Sequence, residues 1–322
     1  MRYVRLGQTD LQVSAIAFGT WAFGGDWGTA DLEEGQDAIE YALSLGINLF
    51  DTAQGYGFGV AEELLGRALR ERADREDVII ATKGGLRMDG DRVVRDASRD
   101  WLRKGVESSL RHLDTDYIDI YQVHWPDLQT PPQETAEALA ELVAKGKIRH
   151  VGLSNYDADQ METFGQFGAV HTLQPPYHLF RREIEETVLP YTTAHDIGVL
   201  VYGPLAHGLL SGRLTESTAF DADDWRSHSI DFTGPTFHRN LAVVEQLKEF
   251  AQQRDITLPQ LAVAWTLANP AVHVAIVGAR RPGHLTETAA AADITLSESD
   301  LKEIDEILID AVPVWGPHPE GM

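Results

Sequence analysis

Four residues whose types could together polarise a carbonyl and move a proton each end or follow a short apolar run. Asp51 ends Asn48–Asp51, and Thr52-Ala53-Gln54-Gly55-Tyr56-Gly57 follows it. Lys83 follows Val78–Thr82, and His124 ends Ile118–His124, ahead of Trp125-Pro126-Asp127. A free tyrosine titrates near pH ~10 and gives up its proton reluctantly at neutral pH. A lysine cation beside it favours the phenolate and lowers that value. Asp51 would hold Lys83 charged and in place, making Tyr56 a usable general acid toward a carbonyl oxygen. His124 would donate a hydrogen bond to that oxygen. What the set lacks is an electron pair, which a bound nicotinamide supplies as hydride.

Each residue alone has a plainer reading. Asp51 could cap a helix after a strand, Tyr56 could be a packed rim aromatic, and Lys83 could be a surface lysine. The glycines around Tyr56 suit an exposed loop instead. Ile79-Ile80-Ala81 reads as a buried strand, so an ammonium at its end needs a partner, and Asp51 is the candidate. Of twelve histidines, only His124 and His284 are singled out; the others read as surface or core. Gly55-x-Gly57-x-Gly59 lacks the Gly-x-Gly-x-x-Gly spacing of a dinucleotide fingerprint. Neither a Gly-x-Ser-x-Gly elbow nor a His-Glu-x-x-His metal helix occurs, and no metal site is expected.

The elements that must position these groups alternate. Strand-like runs are Ala15–Gly19, Asn48–Asp51, Val78–Thr82, Ile118–His124, Ile148–Leu153, Thr172–Pro175, Gly198–Tyr202 and Val274–Gly278. Helix-period stretches are Leu32–Leu45, with Asp31 as N-cap and Gly46 as C-cap, then Ala61–Arg70, Arg99–His112, Gln133–Ala144 (Gly146 after it) and Glu183–Ala194. Alternation implies a parallel sheet, and eight strands predict an α/β fold of the (β/α)8 TIM-barrel type, with reactive groups at the strands' C-terminal ends. Arg2–Leu6 and Leu11–Val13 predict an N-terminal β-hairpin. His207–Pro235 is a long polar loop after strand 7 of the kind that closes over a site. No linker interrupts 1–322, so a single domain is expected.

Composition narrows the function classes. The 322 residues contain no cysteine, which excludes disulfides, thiolate metal sites and a cysteine nucleophile. Fifty acidic residues against 27 basic ones give a formal charge of −23, which opposes nucleic-acid binding. Leu261–Ala279 is mostly apolar, but Pro270 interrupts it, so no membrane span is expected. Met1–Asp10 is followed by no signal-peptide core, and the chain reads as cytoplasmic.

In order along the chain, Asp51-Thr52-Ala53-x-x-Tyr56-Gly57, Thr82-Lys83, Gln122-x-His124, Gly152-x-Ser154-Asn155 and Gly278-x-Arg280 resemble the aldo-keto reductase superfamily. The resemblance covers essentially the whole chain. It is strongest to a bacterial general-stress-protein type group, through Gln122-Val123-His124-Trp125-Pro126-Asp127 and Gln174-Pro175-Pro176-Tyr177. It implies a barrel, the tetrad Asp51, Tyr56, Lys83 and His124, and NADPH/NADP+ as cofactor, with NADH possible but weaker. Ser154 and Asn155 then hold the carboxamide with Gln174 beside them, and Tyr202 stacks on the nicotinamide. Gly203 to Arg213, with Leu205, Gly208 and Leu209 among its contacts, wraps the pyrophosphate, where glycines permit close backbone approach. Gly278 and Arg280 take the 2′-phosphate, with Arg226 as a second cation. His284 and Glu287 stand near the family's adenine contacts, where members often carry Gln and Glu-Asn.

Trp21 and Trp125 lie just beyond strands one and four and read as substrate-pocket walls. Trp225 fits a pocket or a core equally well, and Ser154 could also cap a helix starting near Asp157. The expected activity is reversible reduction of aldehydes or ketones by a monomer, with a small carbonyl compound as substrate. The alternative is a nicotinamide-nucleotide-sensing regulatory subunit with little turnover, as in channel β subunits that resemble this family. A barrel glycosidase lacks its paired carboxylates. Arginine supplies twenty-one of the 27 basic residues, which fits either a salt-rich cytoplasm that screens the acidic surface or an ordinary acidic enzyme. Transfer to low salt separates the two: unfolding supports the first, and full activity excludes it.

Overall fold

The computed structural model describes residues 1–24, 32–222, 224–279, 282–318 and 320, without the side chains of Leu32, Pro282 and His284. A two-stranded antiparallel hairpin, β1 (Tyr3–Arg5) and β2 (Gln12–Ser14), comes first. Eight parallel strands then close a barrel in chain order: β3 (Ile16–Gly19), β4 (Leu49–Asp51), β5 (Ile79–Gly84), β8 (Ile118–Val123), β9 (Ile148–Ser154), β10 (Thr172–Gln174), β11 (Gly198–Tyr202) and β12 (Val274–Gly278). The chain is therefore a (β/α)8 barrel, as the strand pattern predicts. Every residue of β5 and β8 is buried, because parallel strands covered on both faces read as near-continuous apolar runs.

The barrel interior is filled by Ala17, Leu49, Ala81, Ile120, Leu200 and Ile276, and Leu6, Leu11 and Val13 pack against them from the hairpin end. Gly7 makes that plug possible. Its φ is +51°, and a Cβ there would lie 2.3 Å from the Gly198 backbone nitrogen. Outside the barrel lie α1 (Leu32–Ser44), α2 (Val60–Arg72), α3 (Arg99–Leu113), α4 (Pro132–Ala144), α5 (Ala158–Gly165), α6 (Val188–Ala194), α7 (Gly234–Gln252), α8 (Leu258–Ala268), α9 (Pro282–Ala290) and α10 (Glu298–Ile307). Gly46 and Gly146 adopt positive φ just past α1 and α4, as expected of C-caps. The proposed cap Asp31 lies outside the described residues.

Three local features depart from expectation. The stretch Glu183–Ala194 is not one helix: a 3-10 turn, Glu183–Glu185, precedes α6. Pro190 lacks an N–H, so a helix continuing from Glu183 would have it in the interior; restarting at Val188 puts it in a first turn. A second hairpin, β6 (Leu86–Asp89) and β7 (Arg92–Arg95), turns through Gly90-Asp91, with Gly90 at φ +62° in the first central position. The stretch after β11 is built of 3-10 turns, Ala206–Ser211, Trp225–His228 and Ile230–Phe232, before α7 begins. Among the described residues no helix is long and apolar enough to cross a membrane.

Asp119, near the N-terminal end of β8, ties the lower rim together. It is 1% exposed and accepts from Arg75 Nη2 at 2.7 Å, Ile80 N at 3.0 Å and Arg149 Nη1 at 3.2 Å. Both guanidinium groups lie over the Tyr117 ring, at 4.0 and 3.8 Å. Asp119→Ala leaves a buried N–H and two cations unpaired, and should cost about 3 kcal/mol in denaturant unfolding. A loss below about 1 kcal/mol would show that the cluster adds little.

Candidate active site

The tetrad assembles where the strands end. Asp51 is the last residue of β4, Lys83 lies near the end of β5, and His124 follows β8 directly. Tyr56 sits in the loop between β4 and α2. Lys83 Nζ donates to Asp51 Oδ1 and Oδ2 at 2.5 and 2.7 Å, to Thr52 O at 3.0 Å and to Tyr56 OH at 3.3 Å. Lys83 and Asp51 are 1% and 2% exposed. Burial drives the Lys83 ammonium below its ordinary value, and Asp51 opposes that. Burial likewise raises the Asp51 carboxyl against the pull of Lys83. Gln174 Nε2 adds a bond to Asp51 Oδ2 at 2.9 Å. Gln174 also lines the cleft with Ser154 and Asn155, where the resemblance places it, and its Nε2 bond joins that wall to the aspartate.

The His124 ring meets Tyr56 edge-on, with centroids 5.7 Å apart. Its Nδ1 is buried without a partner. Burial first, and the Lys83 charge second, drive its basicity well below the ordinary histidine value, so the imidazole is neutral at physiological pH. Trp21 stacks on Tyr56 at 6.5 Å. Gly24 lets that segment approach, because a Cβ there would come within 2.9 Å of Tyr56 Cα.

A cleft of about 550 Å³ opens above this floor. Of the expected site residues, Trp21, Asp51, Tyr56, His124, Trp125, Ser154, Asn155, Gln174, Tyr202, Gly203, Leu205, Gly208, Arg213, Arg226 and Gly278 line it. Lys83 lies beneath them. Leu209 does not line it: the side chain is fully buried in the core that the helices build on the barrel. Glu287 on α9 does not line it either. Arg280 and the His284 side chain lie outside the described residues.

Asn155 organises one wall. Its Nδ2 donates to His124 O at 3.0 Å and to Ser154 Oγ at 3.1 Å, and its Oδ1 accepts from Tyr202 OH at 2.8 Å. Its φ is +63°, a left-handed conformation that asparagine tolerates better than most residues. Ser154 does not cap a helix. Its Oγ donates to Gln174 O at 2.9 Å, and Asp157 caps α5.

Beyond Tyr202, residues Gly203, Ala206, His207, Gly208 and Gly212 all have positive φ. Where a negative-φ residue precedes a positive-φ one, as Leu205 precedes Ala206, successive amide groups can form an anion-binding concavity. That run, the cleft lining and Arg213 fit a dinucleotide's phosphates. Arg226 is partly committed elsewhere: it pairs with Asp224 at 2.5 Å and donates to His207 O at 3.1 Å.

Sequence reasoning missed two parts of this wall. His207, read as surface or core, is 6% exposed and lines the cleft; its place inside the Gly203–Arg213 stretch, expected to wrap the pyrophosphate, was the available clue. Gly316 and Pro317 of the C-terminal tail also line it, and nothing local in the sequence marks them. Trp225 packs on His207 and Phe232 instead of lining the cleft. Among the described residues no cluster of three or more His, Asp or Glu could hold a metal.

A family model for the aldo/keto reductase family matches residues 15–309. The aldo-keto reductase YhdN of Bacillus subtilis is 44% identical over 314 residues, which is 97% of this chain and 95% of that protein. An NADH-specific methylglyoxal reductase of Escherichia coli is 36% identical over 327 residues, covering 96% and 99%. The solved structure of a glycerol dehydrogenase from Gluconobacter oxydans superposes with a TM-score of 0.89 at 40% identity, covering 99% of this chain and 98% of that one.

The electrostatics of the site yield one direct check. The His124 ring resonances should not titrate between about pH 8 and about pH 5 in NMR spectra. Titration near the ordinary histidine value would mean that the ring is solvated and unaffected by Lys83.

Proposed function

The chain belongs to the aldo/keto reductase family, and from that premise we propose that it reduces aldehydes or ketones to alcohols, reversibly, with NADPH as the preferred cofactor and NADH a weaker substitute. The observation that carries the reading is one ammonium, Lys83 Nζ, in contact with both the Asp51 carboxylate and the Tyr56 hydroxyl at the floor of the cleft. The bound nicotinamide supplies hydride to the carbonyl carbon. Tyr56 gives its hydroxyl proton to the carbonyl oxygen, and in the reverse direction takes it back. Lys83 stabilises the phenolate left behind, and Asp51 keeps Lys83 in place. Gln174 and Thr52 O complete the cage around that pair.

His124 has one N–H to give as a neutral imidazole, and it orients the carbonyl without adding a second positive charge. Trp21 and Trp125 form apolar walls that exclude water from the reacting oxygen. Asn155, already tied to Ser154 and Tyr202, presents a fixed edge to a carboxamide. The left-handed run from Gly203 to Gly212 receives the pyrophosphate, and Arg280 receives the 2′-phosphate. Arg226, which lines the cleft while paired with Asp224, is the second cation for that phosphate. The E. coli relative is named as NADH-specific, so cofactor preference is a property to measure for this chain.

Tyr56→Phe keeps the ring and removes the proton. Carbonyl reduction should fall by roughly 10²–10⁴-fold, while NADPH affinity by fluorescence titration stays within about twofold. Equal loss of both would remove Tyr56 from the chemistry. Tight nucleotide binding by the wild-type protein without turnover on any carbonyl would favour the nucleotide-sensing reading.

A further inference from the structure

Behind the strand that carries Lys83 lies a second buried carboxylate with no part in the reaction described above. Glu62, in the first turn of α2, is fully buried. Neighbouring side chains on a strand face opposite sides, so Thr82 points out of the barrel while Lys83 points in. Thr82 Oγ1 donates to Glu62 Oε1 at 2.7 Å. Among the described residues Glu62 Oε2 has no hydrogen-bond partner, and His112 Nδ1, on the last turn of α3, lies 3.5 Å from it. The His112 side chain is 34% exposed, and its ring covers Gly59, where a Cβ would come within 2.4 Å of it.

A carboxylate with so few partners is costly to bury unless a cation nearby benefits from it. His112 is one such cation, and Lys83, next to Thr82 on β5, is the other. The Glu62 charge acts on Lys83 through the strand, in the same sense as Asp51 and against burial. Contact with Glu62 also raises the His112 imidazole above its ordinary value, and its charge adds to the burial that pushes the Tyr121 phenol up. The groups that feel the Glu62 charge are thus Lys83, paired with Asp51, inside the barrel; Tyr121 on β8; and His112 on α3, which Arg111 and Glu63 also influence.

We propose that Glu62 is a positioning residue of the site: its carboxylate, set against the outer face of β5, keeps the Lys83 ammonium and the Tyr56 hydroxyl protonated into the alkaline range. The sign follows from charge alone. Removing a buried negative charge makes an ammonium lose its proton more easily, and a phenol as well. Whichever group carries the alkaline limb of activity, that limb moves to lower pH. His112 is the control point, because a fixed cation there cancels Glu62 without touching it.

Two readouts test this. One is the alkaline limb of kcat/KM for carbonyl reduction, which rests on the proposed function. The other is ultraviolet difference titration of the Tyr56 phenol in the nucleotide-free protein, each variant read against its own Tyr56→Phe counterpart, which does not. Glu62→Gln should move both to lower pH by about one unit, the order of effect that removing a nearby buried charge has at an effective dielectric near 20. His112→Lys should move them in the same direction. Thr82→Val removes the hydrogen bond but keeps the charge, and His112→Gln leaves the charge uncancelled; both should leave the limb in place. Equal displacement by Thr82→Val and Glu62→Gln would mean that Glu62 acts by packing alone, and an unmoved limb in Glu62→Gln and His112→Lys would remove the field effect. Either result overturns the proposal. If Glu62→Gln does not fold, His112→Lys against His112→Gln decides the same question. A wild-type protein that reduces no carbonyl overturns the functional reading, and the phenol titration still decides for Glu62.

Discussion

A lysine ammonium buried to 1% exposure is the demand that the rest of the upper barrel answers. An unpaired ion there would cost several kcal/mol, and removing its partner from a buried pair typically costs about 3–5. Lys83 has three protons and spends them on Asp51, Thr52 O and Tyr56 OH. The strand register makes this possible: Asp51 pairs with Ala81, Lys83 with Gln122 and Gln174 with Ser154. Three side chains from β4, β5 and β10 thereby reach one point inside the barrel. A slip of one residue in any of these strands would turn its side chain to the other face.

The rim above that point is built by segments far apart in the chain. Backbone near Gly24 packs on Tyr56. The left-handed run after β11 supplies one wall, and the C-terminal tail supplies another. The tail is tied down by Trp315 N donating to Asp231 Oδ2 at 2.7 Å, by the His318 ring against Trp125 at 5.4 Å, and by Arg95 with Glu320 at 2.6 Å. Because Arg95 belongs to the β6–β7 hairpin and also lies over Trp125, the hairpin, the tail and the residues after β8 share one boundary of the cleft. Positive φ at Asn155, Ala206 and His207 shows where backbone strain is accepted to shape this rim.

What could be read in advance follows from how local each cause is. All eight barrel strands were legible because burial on both faces writes itself as apolar runs, and the tetrad was legible because Asp51, Tyr56, Lys83 and His124 sit at the ends of those runs. The helix expected over Glu183–Ala194 is instead a 3-10 turn and a shorter helix, because Pro190 fits a first turn and not a helix interior. The β6–β7 hairpin has only the short Gly90-Asp91 turn between two mixed-polarity strands to mark it. Leu209 was expected to touch the cofactor because its loop does, but a 3-10 turn points its side chain into the core. The tail residues Gly316 and Pro317 owe their place to partners at Asp231 and Phe180, more than eighty positions earlier, and no short window of sequence contains that information. Gln174 on Asp51 is the same kind of case, since 123 positions separate the two.

The scarcity of lysine has a practical side once Lys83 is placed. The chain has six: Lys83, Lys104, Lys145, Lys147, Lys248 and Lys302. The other five are exposed or half-buried and lie on or beside α3, α4, α7 and α10. None lines the cleft. Amine-directed reagents used to attach dyes or couple the protein to a solid support would therefore anchor it through its outer helical layer, leaving the barrel mouth open and the one lysine inside out of reach.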